Sequence, residues 1–178
     1  MQLIVVFETN KKAETDRIYF RAYFNALTGY DDPHSPFFRK IKWDEIFAKS
    51  KGNMVKEGSK IKELQKMYLS QHPGEQSFVV LCADTDYGRD GESENEKIAQ
   101  YCRQNGYIHV WFHRVVEEVF LGHEVSKNEK TKAAKRFERQ KHSDISNEKK
   151  FFAKSYQNGS FGSSNVGCVL NGIVSHEN

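Results

Sequence analysis

Three acidic residues follow two apolar stretches of this chain and could together bind a divalent cation. Glu8 follows the apolar run 3–7, and Asp84 and Asp86 follow the apolar run 77–83. Side chains two residues apart in an extended chain point the same way, so Asp84 and Asp86 can act together. Carboxylates that converge repel one another unless a cation, basic groups or shared protons offset the repulsion. Hard oxygen donors of this kind favour Mg²⁺ or Mn²⁺, so the pattern predicts a metal site.

Each of these acids also has a purely structural explanation. Glu8 fits a helix cap or a solvated loop, and Asp84 and Asp86 fit an Asx turn because they form an Asp-x-Asp-x-Gly sequence. The metal site is favoured because the acids follow two separate strands of one expected sheet. A receiver-like phosphoacceptor domain also has acids at its strand ends. It ranks last because it needs two acids after its first strand, where Glu8 stands alone.

A parallel sheet is needed to bring the acids together. Continuous β-branched and aromatic runs are typical of strands buried on both faces, whereas an alternating run is typical of a half-exposed strand. Helical patterns separate these runs, so we expect a doubly wound α/β fold with a mostly parallel four-stranded sheet flanked by helices. This domain covers residues 1–121, and a helical, basic C-terminal extension at 122–178 packs on or beside it. The expected strands are 3–7, 37–43, 77–83 and 107–113.

Capping residues suggest where several of the helices begin and end. Gly29 is placed to end the first helix, and Ser59 to begin the second. Ser93 and Glu96 form an S-x-x-E capping box for the third. The stretch 44–49 fits a helix as well as a strand. The expected helical segments are about 16–27, 59–71, 93–105, 115–121, 128–142 and 148–156.

The placement of the acids resembles the Toprim fold of topoisomerases, primases and overcoming-lysogenization-defect nucleases. The shared pattern is a first strand that ends in Glu, here Glu8, and a later strand that ends in Asp-x-Asp, here Asp84 and Asp86. The order of strands and helices expected for residues 1–121 also agrees with that fold.

Among Toprim proteins, the chain is most similar to the RloB-like group of small bacterial defence-associated proteins. In that group Thr-Glu-x-x-Tyr-Phe opens the first helix, and the matching stretch here is Thr15–Phe20, Thr-Asp-Arg-Ile-Tyr-Phe. The chain departs from the family pattern at Thr9, where the family has Gly, and at Asp16, where it has Glu.

The resemblance implies a Mg²⁺-dependent nuclease or phosphodiesterase that acts on nucleic acid in phage defence, with a neighbouring ATPase as a partner. Asp84 and Asp86 would then hold Mg²⁺ or Mn²⁺ beside a phosphodiester, and Glu8 would be a further ligand or the general acid/base. Glu117 and Glu118 are candidate ligands for a second ion, although we expect acids on a helix to be surface residues. The alternative is a catalytically inactive Toprim-like module that binds nucleic acid or a partner.

Positive charge is concentrated in the C-terminal part of the chain. The formal net charge is +3, yet residues 127–154 contain 10 Lys and Arg against 4 Asp and Glu. Such a segment fits a polyanionic partner as well as a solvated helix face. If it binds nucleic acid, we expect Lys132, Lys135, Arg136 and Arg139 to contact phosphates without reading sequence.

Composition argues against a membrane protein. A length of 178 residues fits a single core, and the mean hydropathy is −0.74. The longest apolar runs fall far short of the roughly 20 residues that a membrane-spanning helix needs. The 3 cysteines are widely spaced and form no CxxC, which points to neither a disulfide framework nor a zinc site. We therefore expect a reduced, cytoplasmic protein.

Overall fold

A parallel four-stranded sheet forms the centre of the fold. The computed structural model describes residues 1–9, 11–12, 14–38, 40–85, 89–140, 142, 144–155 and 162–176, with backbone alone at 89–92. All three strand pairings are parallel, and the strand order is β2-β1-β3-β4. The two central strands are the continuous apolar runs, as their composition predicted. The strands are β1 Gln2–Phe7, β2 Lys42–Phe47, β3 Ser77–Thr85 and β4 Ile108–His113.

Helices cover both faces of the sheet, so the predicted α/β fold class is confirmed. Residues of β1 and β3 alternate between two separate apolar clusters, which lie on opposite faces. Helices α1, α5, α6 and α7 pack on one face, and α2, α3 and α4 pack on the other. The helices are α1 Thr15–Thr28, α2 Lys51–Met54, α3 Gly58–Gln71, α4 Arg89–Asn105, α5 Val116–Leu121, α6 Lys130–Glu138 and α7 Val166–Ser175.

Several predicted boundaries are wrong. The second strand begins at Lys42 rather than at residue 37, and the stretch 44–47 belongs to it rather than to a helix, because it pairs in register with β1. Ser93 and Glu96 lie inside α4 and do not cap it. Glu96 instead accepts a hydrogen bond from Arg103.

Two other helical predictions also need correction. Ser59 is the second residue of α3 rather than its cap. Within the helix expected at 148–156, the described residues form only a 3-10 turn at Lys149–Phe152, and another 3-10 turn, Ile145–Asn147, precedes it. Gly29 does end α1 as predicted, with a φ of 64°, a conformation that glycine adopts without steric cost.

The C-terminal extension shares the core of the first 121 residues. Tyr19 of α1 stacks on Phe120 of α5, with ring centroids 5.1 Å apart, and lies 5.0 Å from Phe137 of α6. Phe151 and Leu170, further along the chain, are fully buried in the same cluster. Among the described residues, the longest helix is the charged, 17-residue α4, and none could cross a membrane.

Replacing one buried ring of the extension is therefore expected to destabilise the whole protein. We expect Phe137→Ala to lower the free energy of unfolding by about 3 kcal/mol, because it leaves a cavity between α1, α5 and α6. Chemical denaturation followed by far-UV circular dichroism measures the change. A single shifted transition is expected. Two separate transitions would contradict the shared core.

Candidate active site

Glu8 and Asp84 lie side by side at the carboxyl edge of the sheet. The backbone N–H of Asp84 donates a hydrogen bond of 3.3 Å to Oε2 of Glu8. The contact follows from topology, because β1 and β3 are parallel neighbours and Phe7 pairs with Cys82. The prediction that these two distant segments are neighbouring strands is confirmed, and the pairing brings Glu8 to Asp84. Asp86 lies outside the described residues.

Two further acids face the same edge, Asp16 in the first turn of α1 and Glu117 in the first turn of α5. Helices that follow parallel strands begin at the carboxyl edge, which places these first turns near one another. Asp16 is 4% exposed, and the Glu117 side chain is fully buried. The sequence analysis gave Asp16 no role in the site. Its position at the start of the helix that follows Glu8 could have indicated one. Glu117 was expected to be a surface acid, which its burial contradicts.

Burial and mutual repulsion favour the protonated forms of two of these acids. Burial, followed by the charges of Asp16, Glu8 and Glu117, raises the pKa of Asp84 well above its usual range. Burial, followed by Glu8 and Glu117, raises the pKa of Asp16 to about 7. The Thr15 hydroxyl, 3.3 Å from Oδ1 of Asp16, acts in the opposite direction. The site therefore carries a cost in stability that a bound cation would remove.

The side chain of Lys130, at the start of α6, brings a positive charge to these acids. Its ammonium group donates a hydrogen bond of 2.9 Å to Oε2 of Glu117. Burial lowers the pKa of Lys130, but the bond to Glu117 and the charges of Glu117, Asp84 and Asp16 outweigh it, so the net shift is upward. Sequence reasoning missed Lys130 because it lies in a segment rich in other lysines.

Two carboxylate oxygens at this edge have no hydrogen-bond partner among the described residues. They are Oδ1 of Asp84 and Oε1 of Glu117, and both are buried. Oε2 of Glu118, whose other oxygen is bound to Arg114, is a third buried oxygen of this kind. Buried oxygens of carboxylates are nearly always hydrogen-bonded or bound to a cation, so those of Asp84 and Glu117 call for a ligand. With Glu8 and Asp16 they form an all-oxygen donor set, which suits Mg²⁺ or Mn²⁺ rather than a softer metal.

Within the described part of the chain, however, no three His, Cys, Asp or Glu side chains are arranged closely enough to hold a metal ion by themselves. Mg²⁺ is commonly held by one or two carboxylates, with water and substrate phosphate completing its shell. The donor chemistry therefore fits a Mg²⁺ ion bound through Asp84, with Glu8 beside it.

Glu118, the other acid considered for a second ion, has different partners. It accepts a hydrogen bond of 3.0 Å from Arg114, which also contacts Glu124 at 2.9 Å. Burial raises the pKa of Glu118, and Arg114 partly offsets this. Glu117, rather than Glu118, therefore joins Asp84 and Asp16.

The four basic residues predicted to contact nucleic acid lie on the exposed part of α6 and directly after it. Lys132, Lys135, Arg136 and Arg139 are all exposed, whereas Ala134 and Phe137 face the core. The four residues line one shallow groove with Asn128, Thr131 and Gln140. Because α6 begins with Lys130, this basic face extends directly away from the acidic edge.

Comparison with known proteins identified no relative: no family model, no curated protein and no solved structure matches this chain.

Proposed function

We propose that this protein is a Mg²⁺-dependent phosphodiesterase of the Toprim type that cleaves nucleic acid. The observation that supports this most directly is the contact between Glu8 and the backbone of Asp84 at the carboxyl edge of a parallel sheet. Ligands of open α/β folds bind at that edge. The buried, unpartnered oxygen of Asp84 lies at the same place.

In this proposal the residues of the chain have separate tasks. Asp84 holds the ion, together with Asp86 if the family pattern applies, and Glu8 either binds the ion or moves the proton of the attacking water. The ion, when bound, would neutralise charge on the phosphate oxygens and lower the pKa of bound water. The sheet holds Glu8 and Asp84 in place, because Glu8 directly follows β1, Asp84 lies on β3, and both strands have fully buried apolar side chains.

The basic face of α6 supports the proposal that the substrate is a polyanion. A nucleic acid strand that enters the acidic edge would have its neighbouring phosphates beside Lys132, Lys135, Arg136 and Arg139. Backbone contacts of this kind carry no sequence information, so we expect cleavage of many sequences. The RloB-like resemblance adds the proposals of a role in phage defence and of an ATPase partner.

Removing the metal tests the proposed function. We expect the purified protein to cleave single-stranded or duplex DNA or RNA in Mg²⁺ or Mn²⁺, and to lose this activity in a chelator. Fluorescently labelled oligonucleotides resolved on a denaturing gel provide the measurement. Activity that persists in excess chelator would contradict the proposal, and restoration by added Mn²⁺ is the control.

A catalytically inactive binding module is the second candidate. It is favoured by the lack of a three-ligand cation site among the residues that the structure describes. Such a module would bind nucleic acid with the same affinity in Mg²⁺ and in chelator. Isothermal titration calorimetry in both buffers, alongside the cleavage assay, distinguishes it from the enzyme.

Both candidates predict that the basic face of α6 controls the salt dependence of binding. We expect Lys132→Ala combined with Arg136→Ala to reduce the slope of log affinity against log salt by about 2, because each lost phosphate contact removes about 1. Fluorescence anisotropy at several salt concentrations measures this slope. Lys60→Ala combined with Lys62→Ala is the matched control, because these exposed lysines lie on α3, on the opposite face of the sheet. Equal slopes for the two double variants would contradict the assignment.

A further inference from the structure

The acidic edge contains a positive charge supplied by the protein itself, the ammonium group of Lys130. It lies 2.9 Å from Oε2 of Glu117, whose side chain is fully buried. The Lys130 side chain is 32% exposed, so it enters the edge from the solvent side at the start of α6. Lys130 also interacts electrostatically with Asp84 and Asp16, which places its charge among the acids rather than out on the basic face.

Glu117 is bound to Lys130 through one oxygen only. Its Oε1 atom is buried and has no hydrogen-bond partner among the described residues. One oxygen of this buried carboxylate binds the Lys130 ammonium group. Without the ammonium group, both carboxylate oxygens could bind a metal ion. The negative charges of Asp84 and Asp16, when these acids are ionised, would also attract a cation to this position.

We propose that Lys130 occupies the position of a second metal ion, so that the site takes a single divalent cation and Lys130 supplies the second positive charge. This inference rests on the proposed function and specifies its metal requirement. Glu117 then positions Lys130 and is not a metal ligand in the natural protein. The wild-type site is complete with one ion near Glu8 and Asp84.

The pairing explains how a fully buried acid of α5 is neutralised by a half-buried base of α6, 13 residues further along the chain. Glu117 follows β4, and Lys130 begins a helix that packs on α1. An ion pair between them offsets the charge of Glu117 permanently, whereas a metal ion would do so only at sufficient concentration. A substrate phosphate near Asp84 would then have a divalent ion on one side and the Lys130 ammonium group on the other.

Counting bound Mn²⁺ ions tests this inference without an activity measurement. Free Mn²⁺ is measured by electron paramagnetic resonance as the full-length protein is titrated. We expect one Mn²⁺ per wild-type chain and two per chain of Lys130→Met, because that variant removes the ammonium group and leaves a side chain one atom shorter. Lys130→Met combined with Glu117→Gln should bind one, because the second ion depends on Glu117. Lys127→Met, which removes an exposed lysine nearby in sequence, should bind one like the wild type.

The remaining outcomes separate this inference from the proposed function. Two ions in the wild type, or one ion in Lys130→Met, would overturn the inference and leave a metal-dependent function standing. No ion in any variant would overturn both. No ion in the wild type but one in Lys130→Met would contradict both the single-ion site and the metal-dependent function of the natural protein. Circular dichroism confirms folding of each variant, and Lys130→Gln, measured in parallel, replaces Lys130→Met if the latter does not fold.

Discussion

Asp84→Asn is expected to reduce metal-dependent cleavage by about 1,000-fold, which corresponds to about 4 kcal/mol of transition-state stabilisation. The substitution keeps the size of the side chain and removes the charge that would hold the ion. One buried oxygen of Asp84 has no hydrogen-bond partner in the described part of the chain, and burial raises the pKa of this residue. We therefore expect the fold to tolerate the loss of its charge. Single-turnover cleavage in Mn²⁺ measures the loss, and thermal unfolding in chelator tests whether the fold is retained.

Asp31→Asn is the matched control for this experiment. Asp31 is exposed in the turn after α1, far along the helix from the acidic edge, so its replacement should leave cleavage within about twofold of wild type. Equal cleavage rates for Asp84→Asn and wild type would contradict the assignment of the active site. A large loss in Asp31→Asn would show that the assay reports stability rather than chemistry.

Asp16 is expected to make the stability of the metal-free protein fall as the pH rises from about 4 to 7. Burial and the neighbouring acids raise the pKa of Asp16 from 3.8 to about 7 in the folded protein. Between these two values the unfolded chain has released this proton and the folded protein has kept it, so folding binds a proton and loses stability with rising pH. The difference corresponds to about 4 kcal/mol for this one group.

Asp16→Asn removes the titrating group and should flatten this dependence, so that the variant is more stable than wild type at pH 7 and similar to it at pH 4. Urea unfolding in chelator at several pH values measures the effect, with Asp31→Asn again as the exposed control. Excess Mg²⁺ should stabilise the wild type near pH 7 and have little effect near pH 4, where Asp16 and Asp84 are protonated. The partly buried His109, whose pKa is lowered to about 4, makes stability rise over the same range, so the test is the difference between the two proteins. A difference between Asp16→Asn and wild type that does not grow from pH 4 to pH 7 would contradict the arrangement of the acids.

Local patterns identified the central parts of the fold better than its boundaries. The apolar runs that became β1 and β3 are continuous, and only a strand covered on both faces gives that pattern in so short a segment. Capping motifs at Ser59 and Ser93 misled because they are weak local signals. Helix α3 begins at Gly58 and α4 at Arg89, before the residues expected to cap them.

For the candidate site, sequence patterns identified the acids that follow strands and missed the groups that helices bring to them. Glu8 and Asp84 could be paired in advance because neighbouring parallel strands end at the same edge. Glu117 and Glu118 looked equivalent, since both are acids in the first turn of α5. The tertiary structure separates them, because Glu117 faces Lys130 and Glu118 faces Arg114.

The amino-acid sequence by itself determined the α/β architecture and the meeting of Glu8 with Asp84, because hydrophobic periodicity and the end of each strand are properties of short segments. Only the tertiary structure decided that Asp16, Glu117 and Lys130 join them. These three residues reach the acidic edge because α1, α5 and α6 pack against one another around Tyr19, Phe120 and Phe137. Such packing is set by contacts between residues far apart in the chain, so no short stretch of sequence contains it.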